Sequence, residues 1–144
     1  MRKADWRFAL KIDSDGSCLC GTVRYTVAGA VNDFYICHCK RCQKETSSAF
    51  STSVLVALES VTWHSGSDST RRFELADADH FCLDFCTNCG SVVPYLGRSQ
   101  QFYIVPVGTL DGDVNLRPEK QIFWQDRASW YDDVEYCPRF DAYQ

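Results

Sequence analysis

The sequence predicts a mainly β domain, antiparallel and with little helix. Three observations carry this. Apolar residues alternate with polar or small ones along much of the chain, clusters of Gly, Asp, Asn and Ser punctuate it, and only two short stretches read as helix. Trp6, Phe8, Leu10 and Ile12 share one parity, which predicts a first strand over Trp6–Ile12. Val23, Tyr25 and Val27 predict a second, and Phe50, Thr52, Val54 and Val56 another, each with one buried face. The apolar run Asp33-Phe34-Tyr35-Ile36 is also expected to be extended. The segments Val61–His64, Thr70–Leu75, His80–Phe85, Ser91–Leu96 and Phe102–Val107 are rich in aromatic and β-branched residues and read as strands. Asp15-Gly16, Ser65-Gly66-Ser67-Asp68, Asn88-Cys89-Gly90 and Asp111-Gly112-Asp113 are the expected turns. A short helix is expected from about Cys42 to Ala49, and a helical turn near Ala128–Asp132.

A chain of 144 residues is expected to form a single domain, residues 1–144, and at this length buries roughly 70% of its unfolded surface. The 14% of aromatic residues can fill the core. A net charge of −4 with no basic tract argues against nucleic acid as a partner. The longest apolar run, Val54-Leu55-Val56-Ala57-Leu58, is too short to span a membrane, so no membrane partner is expected. The N-terminal sequence lacks the apolar stretch of a secretion signal, which points to the cytoplasm. In that reducing compartment clustered cysteines are more often metal ligands than disulfides, and nine of them pair poorly.

Seven of the nine form three groups: Cys18 with Cys20, Cys37 with Cys39 and Cys42, and Cys86 with Cys89. Four thiolates make a closed tetrahedral zinc site, whereas three leave a position open for chemistry. The first and third groups supply four, and the middle group supplies three. Gly21 and Gly90 follow their cysteine pairs and let backbone N–H groups turn toward sulfur. The sequence therefore predicts two zinc sites, one structural on Cys18, Cys20, Cys86 and Cys89, and one functional on Cys37, Cys39 and Cys42.

The middle group lies where an apolar strand enters the short helix, and a helix start favours the thiolate. Lys40, Arg41 and Lys44 add positive charge nearby. They read either as a solvated face or as groups that hold the carboxylates of an anionic thiol. Three thiolates on zinc give a first shell of net −1, better suited to holding a further sulfur than to making hydroxide. His38 is an alternative ligand, although in an extended segment its side chain points away from those of its neighbours. An unmetallated redox thiol group and an empty remnant of a site are the other readings. Phe34, Tyr35 and Phe50 are core residues or walls of the site. His64 and His80 read as ordinary packing or surface residues, Cys82 as core and Cys137 as inert.

Taken together, the motifs Gly16-Ser17-Cys18-Leu19-Cys20-Gly21, Cys37-His38-Cys39-Lys40-Arg41-Cys42-Gln43-Lys44 and Phe85-Cys86-Thr87-Asn88-Cys89-Gly90 resemble those of the family of glutathione-dependent formaldehyde-activating enzymes, which includes centromere protein V. Weaker matches follow at Gly108-Thr109-Leu110-Asp111, at Gln121-Ile122-Phe123 with Trp130, and at Pro138-Arg139-Phe140. The resemblance covers residues 16 to 140 and leaves 1–15 as an extra N-terminal piece. It implies a tent-like β fold, a structural zinc on Cys18, Cys20, Cys86 and Cys89, and a catalytic zinc on Cys37, Cys39 and Cys42. It also implies carbon–sulfur lyase chemistry on a small thiol of the glutathione type and its formaldehyde adduct. The family commonly has histidine where this chain has Gln121, so an acid–base role there does not transfer. The rival expectation is a non-enzymatic zinc module that binds another protein, as centromere protein V and the small Rab-directed zinc chaperones of related fold suggest.

Overall fold

The computed structural model describes residues 10–143. The chain divides into two compact units. One runs to Tyr35 and resumes over Thr52–Lys120; the other combines Ile36–Ser51 with the segment from Gln121 onward.

In the first unit, β1 (Lys11–Ser17) pairs antiparallel with the long β2 (Arg24–Cys37), with Lys11 opposite Ala30 and Ser17 opposite Arg24. The sheet continues through β3 (Ser51–Val56), and β4 (Val61–Ser65) also pairs with β2. A smaller antiparallel sheet follows the order β5 (Thr70–Glu74), β6 (Cys82–Cys86), β7 (Val92–Val93). Beyond it, β8 (Tyr95–Leu96) pairs with β9 (Tyr103–Pro106), which returns to β3 with Ser53 opposite Pro106. Lys120–Ile122 form β10.

The predicted class is what the fold shows: a curled antiparallel sheet protein with one short α-helix among the described residues. Val23, Tyr25 and Val27 are fully buried, as their alternation requires. Tyr25 and Val27 join Ile12, Val31, Phe34, Val54, Val56 and Val105 in the main core. A second core gathers Cys18, Val23, Cys86 and Val93. In β3 the alternation breaks, because Ser51 and Ser53 are buried along with Val54 and Val56. A strand covered on both faces loses its period-two signature.

The first strand differs from expectation. Trp6 and Phe8 lie outside the described residues, and β1 runs through Asp15-Gly16, where a turn is expected. The reason is the partner strand: Gly16 stands opposite Tyr25, whose ring fills the space a Cβ would take. The glycine marks a close approach of ring to backbone.

Tyr25 yields a pH dependence. Its hydroxyl shares a 2.6 Å hydrogen bond with Thr109, and burial pushes its pKa up to about 12. The neutral phenol is favoured in the fold, while the unfolded chain ionises near 10. The stabilisation is thus complete below pH 10 and lost as pH rises to 12, about 3 kcal/mol in all. Denaturant titration of wild type and Tyr25→Phe at pH 9 and pH 12 is expected to show the balance shifting toward the variant by about 2 kcal/mol, most of that amount, since the folded phenol is half ionised at pH 12. Parallel stability curves at the two pH values overturn this assignment.

In the second unit, α1 (Lys40–Thr46) begins two residues before the expected start. Cys39 caps it, its Sγ accepting the N–H of Cys42 at 3.4 Å. A cysteine cap is not a propensity signal, which is why the pattern of apolar residues places the start too late. Ser47, in the left-handed conformation, ends the helix before Ala49. The expected turn near Ala128 is realised as two 3-10 segments, Trp124–Asp126 and Tyr131–Tyr136. Arg127 links them, bonding Asp132 at 2.8 Å and lying 4.5 Å from the centre of the Trp124 ring.

Candidate metal centres

The first centre lies within the first unit. Cys18 follows β1, Cys20 sits in the turn after it, Cys86 ends β6, and Cys89 stands in the turn between β6 and β7. All four Sγ atoms lie within 4.8 Å of one another. Cys18 and Cys20 are 3.5 Å apart at sulfur, and Cys20 and Cys86 are 3.9 Å apart. These separations exclude disulfides, whose S–S bond is about 2.05 Å. They bracket the edge of a tetrahedron with Zn–S bonds of about 2.3 Å, which is about 3.8 Å. The donor set therefore fits a tetrathiolate zinc.

Local backbone builds this geometry twice. Gly21 and Gly90 both adopt φ +78°, and their N–H groups return to Cys18 O at 3.0 Å and Cys86 O at 2.8 Å. The sharp reversal brings each pair of thiols together. Val23 N donates to Cys18 Sγ at 3.3 Å. Sequence reasoning missed two hydroxyls, Thr22 and Ser91, each two residues beyond a cysteine in the repeated pattern Cys-Gly-Thr and Cys-Gly-Ser. The Thr22 side chain, 3.1 Å from Cys20 Sγ, is the main reason the Cys20 thiol falls to about 5. Ser91 does the same for Cys89, at 3.3 Å, bringing it to about 7. Both favour the anion a metal needs.

The second centre lies within the second unit. Cys37 ends β2, Cys39 caps α1 and Cys42 occupies its first turn. Their Sγ atoms also lie within 4.8 Å of one another. The Cys42 thiol donates toward Cys37 and draws it down to about 6, while Cys42, having kept its proton for that bond, is pushed up. These three thiols fit a metal that keeps one position for another ligand. Glu45, one helical turn beyond Cys42, is half-buried; burial first, and the Cys37 thiolate second, raise its carboxyl to about 7.

His38 stands apart from the thiols. Among the described residues, the groups able to hold a metal are the two cysteine sets, without it. Its ring is fully buried, edge-on to Phe50, Trp124 and Tyr131 at 4.9–5.6 Å, and bonds Gln121 at 2.8 Å. Phe50 therefore walls the histidine, whereas Phe34 belongs to the main core. Lys40 and Lys44 line a cavity of about 310 Å³ with Gln43, Ser47, Ser48 and Trp130; Arg41 does not. The i, i+4 spacing puts both lysines on one stripe of α1, and Cys42 is on another. Cys82 is core, and exposed Cys137 bonds Asp133 O within its own turn. His64 bonds Thr26 at the surface, and His80 is exposed.

No curated protein matches the sequence. The crystal structure of a Rhodobacter sphaeroides protein superposes with a TM-score of 0.56 at 20% identity, covering 74% of this chain and 98% of that one. It supports the fold alone. Residues 13–126 match the family described as glutathione-dependent formaldehyde-activating enzyme. That stretch takes in all seven clustered cysteines, Gln121 and most of the sheet, and on it the chain belongs to the glutathione-dependent formaldehyde-activating enzyme family.

Proposed function

We propose that this protein is a zinc-dependent enzyme of the carbon–sulfur lyase type, acting on a small thiol such as glutathione and its carbonyl adduct. The observation that carries this reading is the contrast between the two centres. One offers four thiols, a complete set, and the other offers three. In the addition direction the thiol sulfur bonds to the carbonyl carbon of formaldehyde and the carbonyl oxygen gains the thiol's proton; the lyase direction reverses both changes. Cys37, Cys39 and Cys42 are the residues that would hold a zinc here, and Cys18, Cys20, Cys86 and Cys89 those that would hold the structural one. Zinc at the three-thiol centre supplies a Lewis acid that keeps a substrate sulfur anionic near neutral pH. The lowered pKa of Cys37 favours, at that sulfur, the anion a metal would need. Nine free cysteines suit a reducing compartment, which makes the cytoplasm the proposed location.

Calorimetry with glutathione tests the reading. Holding a thiol as its anion releases a proton, so the heat is expected to depend on the buffer and the affinity to fall as pH is lowered. Wild type carrying two zinc ions is expected to bind, and Cys39→Ala is not. Equal affinity in the two proteins, or no binding by fully loaded wild type, favours a non-enzymatic zinc module instead.

A further inference from the structure

We propose that Gln121 is a positioning residue for the three-thiol centre: it fixes the tautomer and orientation of His38, the residue between two of the thiols, and thereby holds Cys37 and Cys39 in place. The proposal rests on the reading of Cys37, Cys39 and Cys42 as a zinc site. His38 is gripped on every side within the second unit. Its N–H donates to Ile122 O at 3.1 Å. Its carbonyl accepts from Gln43 Nε2 at 2.7 Å, and the same amide donates to Asp126 O at 2.9 Å. The ring is closed in by Phe50, Trp124 and Tyr131. Cys37 ends β2 and Cys39, with φ −63° and ψ 156°, caps α1, so the residue between them joins the two backbones that carry these thiols, and anchoring it restrains both.

Gln121 supplies the remaining constraint. His38 Nε2 lies 2.8 Å from Gln121 Oε1, while Nδ1 is buried and has no hydrogen-bond partner. Gln121 is therefore the ring's sole hydrogen bond among the described residues. With an oxygen facing it, Nε2 carries the proton and Nδ1 is bare. Nothing else selects that tautomer. Gln121 is itself exposed, so removing the amide replaces a fixed acceptor at Nε2 with solvent, while Nδ1 stays buried without a partner, and the ring loses the one bond that sets its orientation. Partners hydrogen-bonded directly to a metal ligand typically matter at about 10–100-fold in metal affinity. The difference here is that the oriented ring is no ligand and acts through the backbone of its two neighbours.

The test uses the full chain with its tighter zinc retained and the weaker site titrated against a chelator of known affinity. Cys39→Ala gives the baseline for the four-thiol centre alone. Gln121→Ala is expected to weaken the second zinc about 10-fold, the low end of that range, and leave the first in place. Gln121→Glu, which keeps an acceptor of the same reach, is expected to stay close to wild type. Nitrogen-15 spectra of the wild type are expected to show the Nε2–H tautomer for the buried ring, told apart from exposed His64 and His80 by slow exchange of its proton. An Nδ1–H spectrum in wild type, or unchanged zinc affinity in Gln121→Ala, overturns the positioning role. Wild type that takes up a single zinc overturns the metal reading itself, whatever the tautomer. Should Gln121→Ala fail to fold, the wild-type spectrum and the affinity of Gln121→Glu decide the question.

Discussion

Cys86→Ser is expected to yield insoluble or unfolded protein. Cys86 is fully buried at the end of β6, and its sulfur sits 3.9 Å from that of Cys20, 66 residues earlier in the chain. A zinc there ties the exit of β1 to the turn after β6 and closes a long loop in the unfolded chain. Structural zinc in small modules supplies about 10–16 kcal/mol of apparent binding free energy. That equals or exceeds the whole stability of a typical domain, about 5–15 kcal/mol. The second core strengthens the expectation, since Cys18 and Cys86 pack directly with Val23 and Val93. Losing the metal leaves like-charged or polar sulfur groups inside an apolar cluster. Cys18→Ser is expected to behave the same way. The measurement is soluble yield followed by circular dichroism and thermal melting. Soluble Cys86→Ser with a native spectrum and an unchanged melting temperature would falsify the structural role of this centre.

Cys39→Ala is expected to do the opposite: to remain folded, lose one zinc per chain relative to fully loaded wild type, and lose glutathione-dependent turnover of formaldehyde. Its three thiols fall within six residues, so a metal there cross-links little chain. The substitution also removes the sulfur that caps α1. Losing a cap costs about 1 kcal/mol, small against the stability of the domain. The segments around the centre keep other ties, among them the bonds of His38 to Ile122 and of Gln43 to Asp126. A modest fall in melting temperature is therefore expected, together with a full loss of the second metal. Identical zinc content in variant and wild type after reconstitution contradicts the assignment of these thiols.

The gathering of the cysteines into a set of four and a set of three was legible in the residues. Short cysteine spacings bring thiols together through turns of two or three residues, and such turns are local. Gly21 and Gly90 signal them because a left-handed φ is open to glycine at little cost. Alternating burial in Val23, Tyr25 and Val27 is equally local, since a pleated strand sends successive side chains to opposite faces. The family resemblance rests on the same short motifs.

What spacing could not supply is which distant residue meets which. Gln121 looked like a loss, a histidine replaced; the fold places its amide 2.8 Å from His38, 83 positions away, and gives it a partner. Asp15-Gly16 reads as a turn until Tyr25 is placed across the strand, where its ring needs the space beside Gly16. The lysines beside Cys42 are its neighbours in sequence, yet helical rotation turns Lys40 and Lys44 toward Trp130. The physical reason is the same in each case. Local rules act through backbone dihedrals and reach a few residues, while hydrogen-bond partners and packing neighbours follow from strand pairing and chain reversal over many tens of residues, which no short pattern encodes.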